Sequence, residues 1–298
     1  MKHFINLDDL SEQVLTQIID RAIVLKKQHK AGEINETLKN KTLAMIFDKS
    51  STRTRVSFEA GMAQLGGHAL FLSDRDIQLG RGEPIKDSAI VISSMVDAIM
   101  MRISSHEAIN TFALHGCVPI INALSDESHP CQLLADMMTY KEHKGSIKGR
   151  AVAWIGDGNN MCHTYMQAAK AFGFTLNIAT PKGYEPNQKF VDRYKAHIKL
   201  FNDAKQACEN VDLVVTDVWA SMGQEAEQIK RELAFKDFQV DETLMSGAKT
   251  DAAFMHCLPA HRGEEVAAEV IDGKQSLVWD EAENRLHAQK SLLLHLLS

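Results

Sequence analysis

Thr42-Leu43-Ala44-Met45-Ile46-Phe47, running directly into Asp48-Lys49-Ser50-Ser51-Thr52-Arg53-Thr54-Arg55, is the stretch that decides how this chain folds. The apolar run reads as a buried strand. Beyond the polar segment, Val56, Phe58, Met62 and Leu65 recur at near-helical spacing until Gly66-Gly67 ends the pattern. A strand, a hydroxyl-rich loop and a helix start bring backbone N–H groups, hydroxyls and guanidinium forks together. The positive end of the helix dipole points the same way, which suits a phosphate dianion. A plainer reading uses the same residues: Ser and Thr cap the helix and the two arginines are solvated.

Working outward, Asp8 or Ser11 caps a first helix whose buried face is Val14, Leu15, Ile18, Ile19, Ala22 and Leu25. After the decisive stretch, His68-Ala69-Leu70-Phe71-Leu72 reads as a second strand. A polar, glycine-containing segment from Ser73 to Glu83 follows, too long for a simple turn and therefore a candidate mobile element. A helix from Ile85 to Val96, a strand ending at Arg102, a helix after Ser105 and a strand from Val118 to Asn122 continue a strand–helix alternation. Such alternation implies a parallel sheet with helices on both faces.

Leu133 to Tyr140 reads as a helix ending in Lys141-Glu142-His143-Lys144-Gly145-Ser146, where the domain hinge is expected. A second alternation starts at Ala151-Val152-Ala153-Trp154-Ile155, with further strands at residues 175–179, 211–215 and 252–255. A last helix from Glu281 to Leu297 is apolar on one side through Leu286, Leu293, Leu294 and Leu297. The expected fold class is α/β, with two doubly wound parallel-sheet domains and the site in the cleft between them. The expected division is residues 1–133, with the helix 281–298 packing back on them, and residues 134–280. Ligands of parallel α/β sheets bind beyond the carboxyl ends of the strands. The polar clusters sit there: Ser51 to Arg55, Arg102, His129 to Gln132, Asn159-Asn160, Asp217 to Gly223 and His256 to Pro259.

Composition narrows the classes of function. The chain has 298 residues, 45% hydrophobic and 24% charged, enough for two domains with cores of their own. Its 33 basic and 39 acidic residues give a formal charge of -6, which argues against general polyanion or nucleic-acid binding and confines any phosphate site to a local cationic pocket. No apolar run approaches a membrane span, and Met1 to Asn6 shows neither an apolar signal core nor an Arg-rich transit character. The five cysteines, Cys117, Cys131, Cys162, Cys208 and Cys257, are scattered without paired CxxC spacing, which fits a reduced cytoplasmic protein. His256, Cys257 and His261 lack zinc-site spacing, so no metal is expected. Gly156-Asp157-Gly158-Asn159-Asn160-Met161 resembles a dinucleotide fingerprint weakly, with Met161 in place of the third glycine.

Taken together, Ser51-Thr52-Arg53-Thr54-Arg55, His129-Pro130-Cys131-Gln132, the segment Asp217-Val218-Trp219-Ala220-Ser221-Met222-Gly223 and His256-Cys257-Leu258-Pro259 resemble, in order and spacing, the signatures of ornithine carbamoyltransferases. These form a branch of the aspartate/ornithine carbamoyltransferase superfamily, and the resemblance runs essentially from Leu7 to the C-terminus. It implies transfer of a carbamoyl group from carbamoyl phosphate to the δ-amine of L-ornithine, giving citrulline and phosphate, without a cofactor. By resemblance, Ser51, Thr52, Arg53 and Thr54 hold the phosphate, Arg102 bridges phosphate and carbamoyl oxygen, and His129 and Arg285 donate to that oxygen. Gln132 and the Leu258 carbonyl receive the carbamoyl NH2, and Cys257 orients the δ-amine. Asn160, Asp217, Ser221 and Met222 hold the amino acid, and Gln78 reaches the phosphate of a neighbouring subunit in a homotrimer or a multiple of trimers. Rival readings are a carbamoyltransferase for putrescine, N-acetylornithine or aspartate, an NAD-dependent oxidoreductase, and a non-catalytic binding protein.

Overall fold

The computed structural model describes residues 2–73, 82–220 and 227–297. The chain forms two compact units, Met1–Met138 with Glu283–Ser298, and Thr139–Ala282.

The first unit carries the helix α1 (Glu12–Lys30), strand β1 (Thr42–Phe47), α2 (Thr52–Gln64), β2 (His68–Ser73), α3 (Ile85–Ser93), β3 (Ala98–Arg102), α4 (His106–His115) and β4 (Ile120–Leu124). The sheet order is β2-β1-β3-β4, with every pairing parallel. β1 and β3 are central and almost wholly buried, whereas β2 lies at an edge and is partly exposed. β4 would be the other edge, but Phe4 bonds along it: its N–H donates to the Ile120 carbonyl and its carbonyl accepts from Asn122, each at 2.8 Å. Ser11 rather than Asp8 caps α1, its Oγ accepting from the Val14 N–H. Thr54, Ser57, Phe58, Gly61 and Met62 form the inward face of α2. Val56, expected on that face, is 59% exposed. The apolar spacing was misleading here because the buried stripe of α2 is partly polar and borders the site.

The second unit begins within α5 (Pro130–Lys144), whose larger N-terminal part belongs to the first unit, and which starts at Pro130 rather than Leu133 and continues past Tyr140 through Lys141 to Lys144. It continues with β5 (Ala151–Ile155), α6 (Asn160–Phe172), β6 (Thr175–Ala179), α7 (Gln188–Tyr194), β7 (Ile198–Phe201), α8 (Ala204–Cys208) and β8 (Leu213–Thr216). Then come α9 (Gln228–Phe235), α10 (Glu242–Gly247), β9 (Ala253–His256) and α11 (Ala268–Ile271). Its parallel sheet has the order β7-β6-β5-β8-β9. The core gathers Ala153, Ile155, Val214 and Phe254 from the strands with Phe235, Val240, Val266 and Ile271. The outer side of β9 is covered by the segment after α11, through Phe254 N–H to Gln275 and Leu277 N–H to Phe254.

The last helix, α12 (Val278–Leu297), starts three residues before the expected Glu281. Leu293 and Leu294 are buried, but so are Asn284, Arg285, His287, Gln289, Lys290 and Ser291. Its inward surface is therefore more polar than the leucine pattern implied. Three of these groups have specific partners in the first unit: Lys26 donates to Asn284 Oδ1 at 2.8 Å, Lys290 to Gln64 Oε1 at 3.0 Å, and Ser291 Oγ to the Ile18 carbonyl at 2.7 Å. Such pairing offsets the cost of burying polar groups, and His287 is an exception, with neither ring nitrogen hydrogen-bonded among the described residues.

In each sheet the strand order reverses direction once, between β1 and β3 in the first and between β5 and β8 in the second. Those switch points leave crevices at the carboxyl ends of the strands, the usual place for a ligand.

Candidate active site

At the switch point of the first unit, Ser51 is extended and caps α2, its Oγ accepting from the Thr54 N–H at 3.3 Å. The cap fixes where the helix begins and hence where its N–H groups point. Thr54 is buried, and its hydroxyl oxygen accepts from Arg102 Nη1 at 3.2 Å and from Arg285 Nη2 at 3.5 Å. Arg102 closes β3, whose register sets it beside Phe47 at the end of β1. Arg53 is half-buried on the first turn of α2. Arg55 is set apart: it is exposed, bonds Glu59 at 3.2 Å and stacks on the Phe71 ring at 3.9 Å. The two arginines of the decisive stretch thus separate into one facing the site and one on the surface.

His129 precedes α5, with Pro130 at the first helical position, where a missing N–H costs nothing. It is buried, and that burial, together with Arg285, Arg102 and Arg53, pushes its imidazole well below the ordinary 6.5. The ring is therefore neutral near pH 7 and can donate only a single hydrogen bond. Gln132, one turn on, donates from Nε2 to Asp136 Oδ1 at 2.9 Å and accepts at Oε1 from Arg285 Nη1 at 2.5 Å. The oxygen expected to receive the carbamoyl NH2 thus already has one donor, and its second lone pair is what a ligand would use. Cys131 is buried, its thiol donates to the Asn122 carbonyl at 3.4 Å, and burial raises its pKa to about 12. It is a packing residue with no usable thiolate.

At the switch point of the second unit, Asn159 caps α6: its Oδ1 accepts from the N–H groups of Met161 and Cys162 at 2.9 and 3.1 Å. Its Nδ2 donates to Asp217 Oδ2 at 2.9 Å. The same carboxylate accepts from the Val218 N–H at 2.8 Å and from Cys257 Sγ at 3.1 Å, both at Oδ1. Asn160 opens α6, half-buried. Leu258 has φ of 58°, a left-handed conformation that costs a leucine on the order of 1–2 kcal/mol. The Leu258 N–H donates to His256 Nδ1 at 2.9 Å. Gly158 admits no side chain, because a Cβ there would stand 2.2 Å from the Pro186 nitrogen.

Asp217, His256 and Cys257 have ligand atoms within 4.8 Å of one another, a proximity that sequence spacing does not reveal. His256 has no lone pair to offer: Nδ1 accepts from Leu258, so the ring proton lies on Nε2, 3.1 Å from Glu265 Oε1. The group is a hydrogen-bond network. His261 Nδ1 stands 3.5 Å from a Glu264 oxygen and 3.9 Å from a Glu265 oxygen, one turn further along the chain.

Sequence reasoning assigned no role to Asn159, Asp157, Arg231, Glu265 or Gln289. Arg231, buried on α9, donates to Asp157 Oδ2 at 2.8 Å and to the Trp219 carbonyl at 2.7 Å, and lies over the Tyr184 ring at 4.9 Å. It ties the loop after β5 to the loop after β8. Burial raises the pKa of Asp157 even against the opposing pull of Arg231. Only the Gly-Asp-Gly-Asn-Asn run hinted at Asn159. Gln78, Ser221 and Met222 lie outside the described residues. The remaining expected residues fall into two groups: Ser51, Thr52, Arg53, Thr54, Arg102, His129, Gln132 and Arg285 in the first unit, and Asn160, Asp217, Cys257 and Leu258 in the second.

Comparison with known proteins finds two family domains along the chain. Residues 2–142 match the carbamoyl-P binding domain of aspartate/ornithine carbamoyltransferase, and residues 148–296 match its Asp/Orn binding domain. The chain is 76% identical to the ornithine carbamoyltransferase of Ruthia magnifica subsp. Calyptogena magnifica, over all of both chains. It is 63% identical to that of Hydrogenovibrio crunogenus, covering 100% of this chain and 99% of that one. Among solved structures, the ornithine carbamoyltransferase from Pyrococcus furiosus superposes with a TM-score of 0.96 at 50% identity, covering 99% of this chain and 97% of that one. The enzyme from Burkholderia thailandensis gives 0.93 at 53% identity, covering 100% and 99%. On these grounds the chain belongs to the aspartate/ornithine carbamoyltransferase family.

Proposed function

We propose that this chain is an ornithine carbamoyltransferase, moving the carbamoyl group of carbamoyl phosphate to the δ-amine of L-ornithine and releasing citrulline and phosphate. The observation that carries the reading is the arrangement of Arg53, Arg102 and Arg285 around a neutral His129 at the start of α2. Guanidinium forks and helix N–H groups suit both the bound phosphate and the departing dianion. A neutral imidazole donates to the carbamoyl oxygen as negative charge develops there.

The nucleophile is the neutral amine, although a free alkyl amine titrates near ~10.4. Asp217 supports the reading as the partner of the ornithine α-ammonium, with Asn160, Ser221 and Met222 around the same end of the amino acid. Cys257 orients the δ-amine. Attack of its lone pair on the carbonyl carbon gives a tetrahedral oxyanion facing Arg53, Arg102, His129 and Arg285. Collapse breaks the carbon–oxygen bond to phosphate, and the amine's surplus proton passes to the leaving phosphate, which departs as the dianion. Gln132 and the Leu258 carbonyl accept from the carbamoyl NH2. The leaving group is already activated, so positioning and electrostatics carry the catalysis without a cofactor.

The family resemblance supports assembly as a homotrimer or a multiple of trimers, with Gln78 of one subunit reaching the phosphate held by its neighbour. Light scattering coupled to size exclusion tests the assembly. Five cysteines without a disulfide support a cytoplasmic location; among the described residues no helix is long and apolar enough to cross a membrane. The deciding experiment measures carbamoylated product from carbamoyl phosphate with ornithine, putrescine, N-acetylornithine and aspartate in parallel. Citrulline formation far above the other products is expected. Preference for any other acceptor overturns the ornithine assignment.

A further inference from the structure

We infer that Gln289 is a positioning residue for Arg285, holding its guanidinium in register with the start of α2; the inference rests on the carbamoyl-transfer reading above. Gln289 is fully buried one turn beyond Arg285 on α12. Its Oε1 accepts from Arg285 Nε at 3.0 Å, and its Nε2 lies 2.9 Å from Ser57 Oγ on α2.

Proton bookkeeping fixes the direction of each bond. The Ser57 hydroxyl has one proton, and its shortest acceptor is the Arg53 carbonyl at 2.6 Å, with the Thr54 carbonyl and Gln289 Oε1 both at 3.2 Å. With the proton on the shortest of these contacts, Ser57 Oγ accepts from Gln289 Nε2, and the amide orientation is fixed at its other end, because Arg285 Nε can only donate and must face an oxygen. That orientation turns its oxygen toward Arg285 Nε. With Nε so engaged, the two remaining edges of the guanidinium reach Gln132 Oε1 at 2.5 Å and Thr54 Oγ1 at 3.5 Å. The backbone turn that carries Arg53 thus sets, through Ser57 and Gln289, where Arg285 stands. No charge is added by this route, so Arg285 keeps its full charge for the ligand. A carboxylate at position 289 would hold the same place while damping that charge.

The test uses the full chain and the variants Gln289→Met, Gln289→Glu, Arg285→Ala and Arg285→Ala/Gln289→Met, with thermal melting as the control for folding. Gln289→Met is expected to lower kcat roughly 100-fold, the scale of a misplacement of about 1 Å, without changing the KM for ornithine. Gln289→Glu, which restores an acceptor, is expected to recover part of that loss. Adding Gln289→Met to Arg285→Ala is expected to cost nothing further, because a residue acting only through Arg285 has nothing left to position. Solvent exchange of the Arg285 Nε–H, followed by NMR in the ligand-free protein, is expected to be slow in the wild type and fast in Gln289→Met. Wild-type turnover in Gln289→Met, an additive double variant, or unchanged Nε–H exchange overturns the inference. A wild type that forms no citrulline overturns the carbamoyl-transfer reading instead, and the NMR measurement still judges Gln289.

Discussion

His287→Leu should remove a large part of the acid sensitivity of the first unit. His287 is fully buried on α12, and neither ring nitrogen has a hydrogen-bond partner among the described residues. Glu283 Oε1 is 3.8 Å from Nε2, too far to bond, and the His29 ring lies 5.8 Å away. Burial, and then the Lys290 ammonium, depress its pKa from the ordinary 6.5 to about 4; Glu283 opposes this, while Lys26 and His29 add to it. The folded state therefore resists a proton that the unfolded chain accepts readily. The neutral ring's stabilising contribution is complete above pH 6.5 and is lost as pH falls toward 4. Linkage over that range has a ceiling of about 3 kcal/mol, of which about 2 kcal/mol is spent between pH 8 and pH 5. Leucine has a similar volume and no proton to take up, so its own cost at pH 8 should stay below about 1.5 kcal/mol. Urea unfolding followed by circular dichroism at both pH values, at one protein concentration, gives the comparison. The wild type should lose about 2 kcal/mol more than the variant on acidification. His129, also depressed, is present in both chains and cancels. Identical pH dependence in the two proteins would refute the reasoning.

Three further perturbations probe the site. Asp217→Asn removes the charge proposed to face the α-ammonium, so the ornithine KM should rise about 10- to 100-fold, the scale of a hydrogen bond to a charged group. Calorimetry should show carbamoyl phosphate binding unchanged, and equal loss of both ligands would make Asp217 a structural residue. Arg285→Lys keeps the charge but not the fork that reaches Gln289, Gln132 and Thr54 together, so kcat should fall roughly 100-fold. Near-normal turnover would remove Arg285 from the oxyanion site. Arg231→Met leaves Asp157 buried without its cation and should cost up to about 3–5 kcal/mol in chemical denaturation, with Arg231→Met/Asp157→Asn recovering much of it. Failure of the double variant to recover would show that the Trp219 carbonyl, not Asp157, is the important partner.

Legibility in the sequence followed the range of the physics. β1, the loop after it and α2 could be read because a buried parallel strand and a capped helix leave strong local signals, and Ser51 performs the capping its position suggested. The polar clusters could be placed at strand ends because alternation fixes strand direction. β7 was missed because it is an edge strand whose central residues, Lys199 and Leu200, are exposed, leaving no buried run to notice. Val56 was misassigned because the helix buries Thr54 and Ser57 in place of an apolar residue. Gln289 and Arg231 carry no local signal at all. Each is defined by a partner dozens to hundreds of positions away, and a buried glutamine or arginine on a helix looks in sequence like any solvated one. Arg285 was found by family resemblance, not by anything in its own neighbourhood.

The two units sort ligands by hydrogen-bond polarity as well as by charge. In the first, the groups that converge are donors: the guanidinium groups of Arg53, Arg102 and Arg285, a neutral imidazole and a helix start. Two nearby acceptors, Thr54 Oγ1 and Gln132 Oε1, already receive from arginine. A dianion is welcomed there, while an ammonium would meet only like charge. In the second, Asn159 Nδ2 and Cys257 Sγ direct their protons at Asp217, which remains an acceptor with lone pairs to spare. That surface receives N–H donors and repels phosphate. The chain as a whole carries a formal charge of -6, so attraction for the dianion rests on local groups rather than on a net positive field. Affinity for carbamoyl phosphate should therefore depend on the local guanidinium cluster more than on ionic strength, because a partly buried cluster is screened less than a surface field.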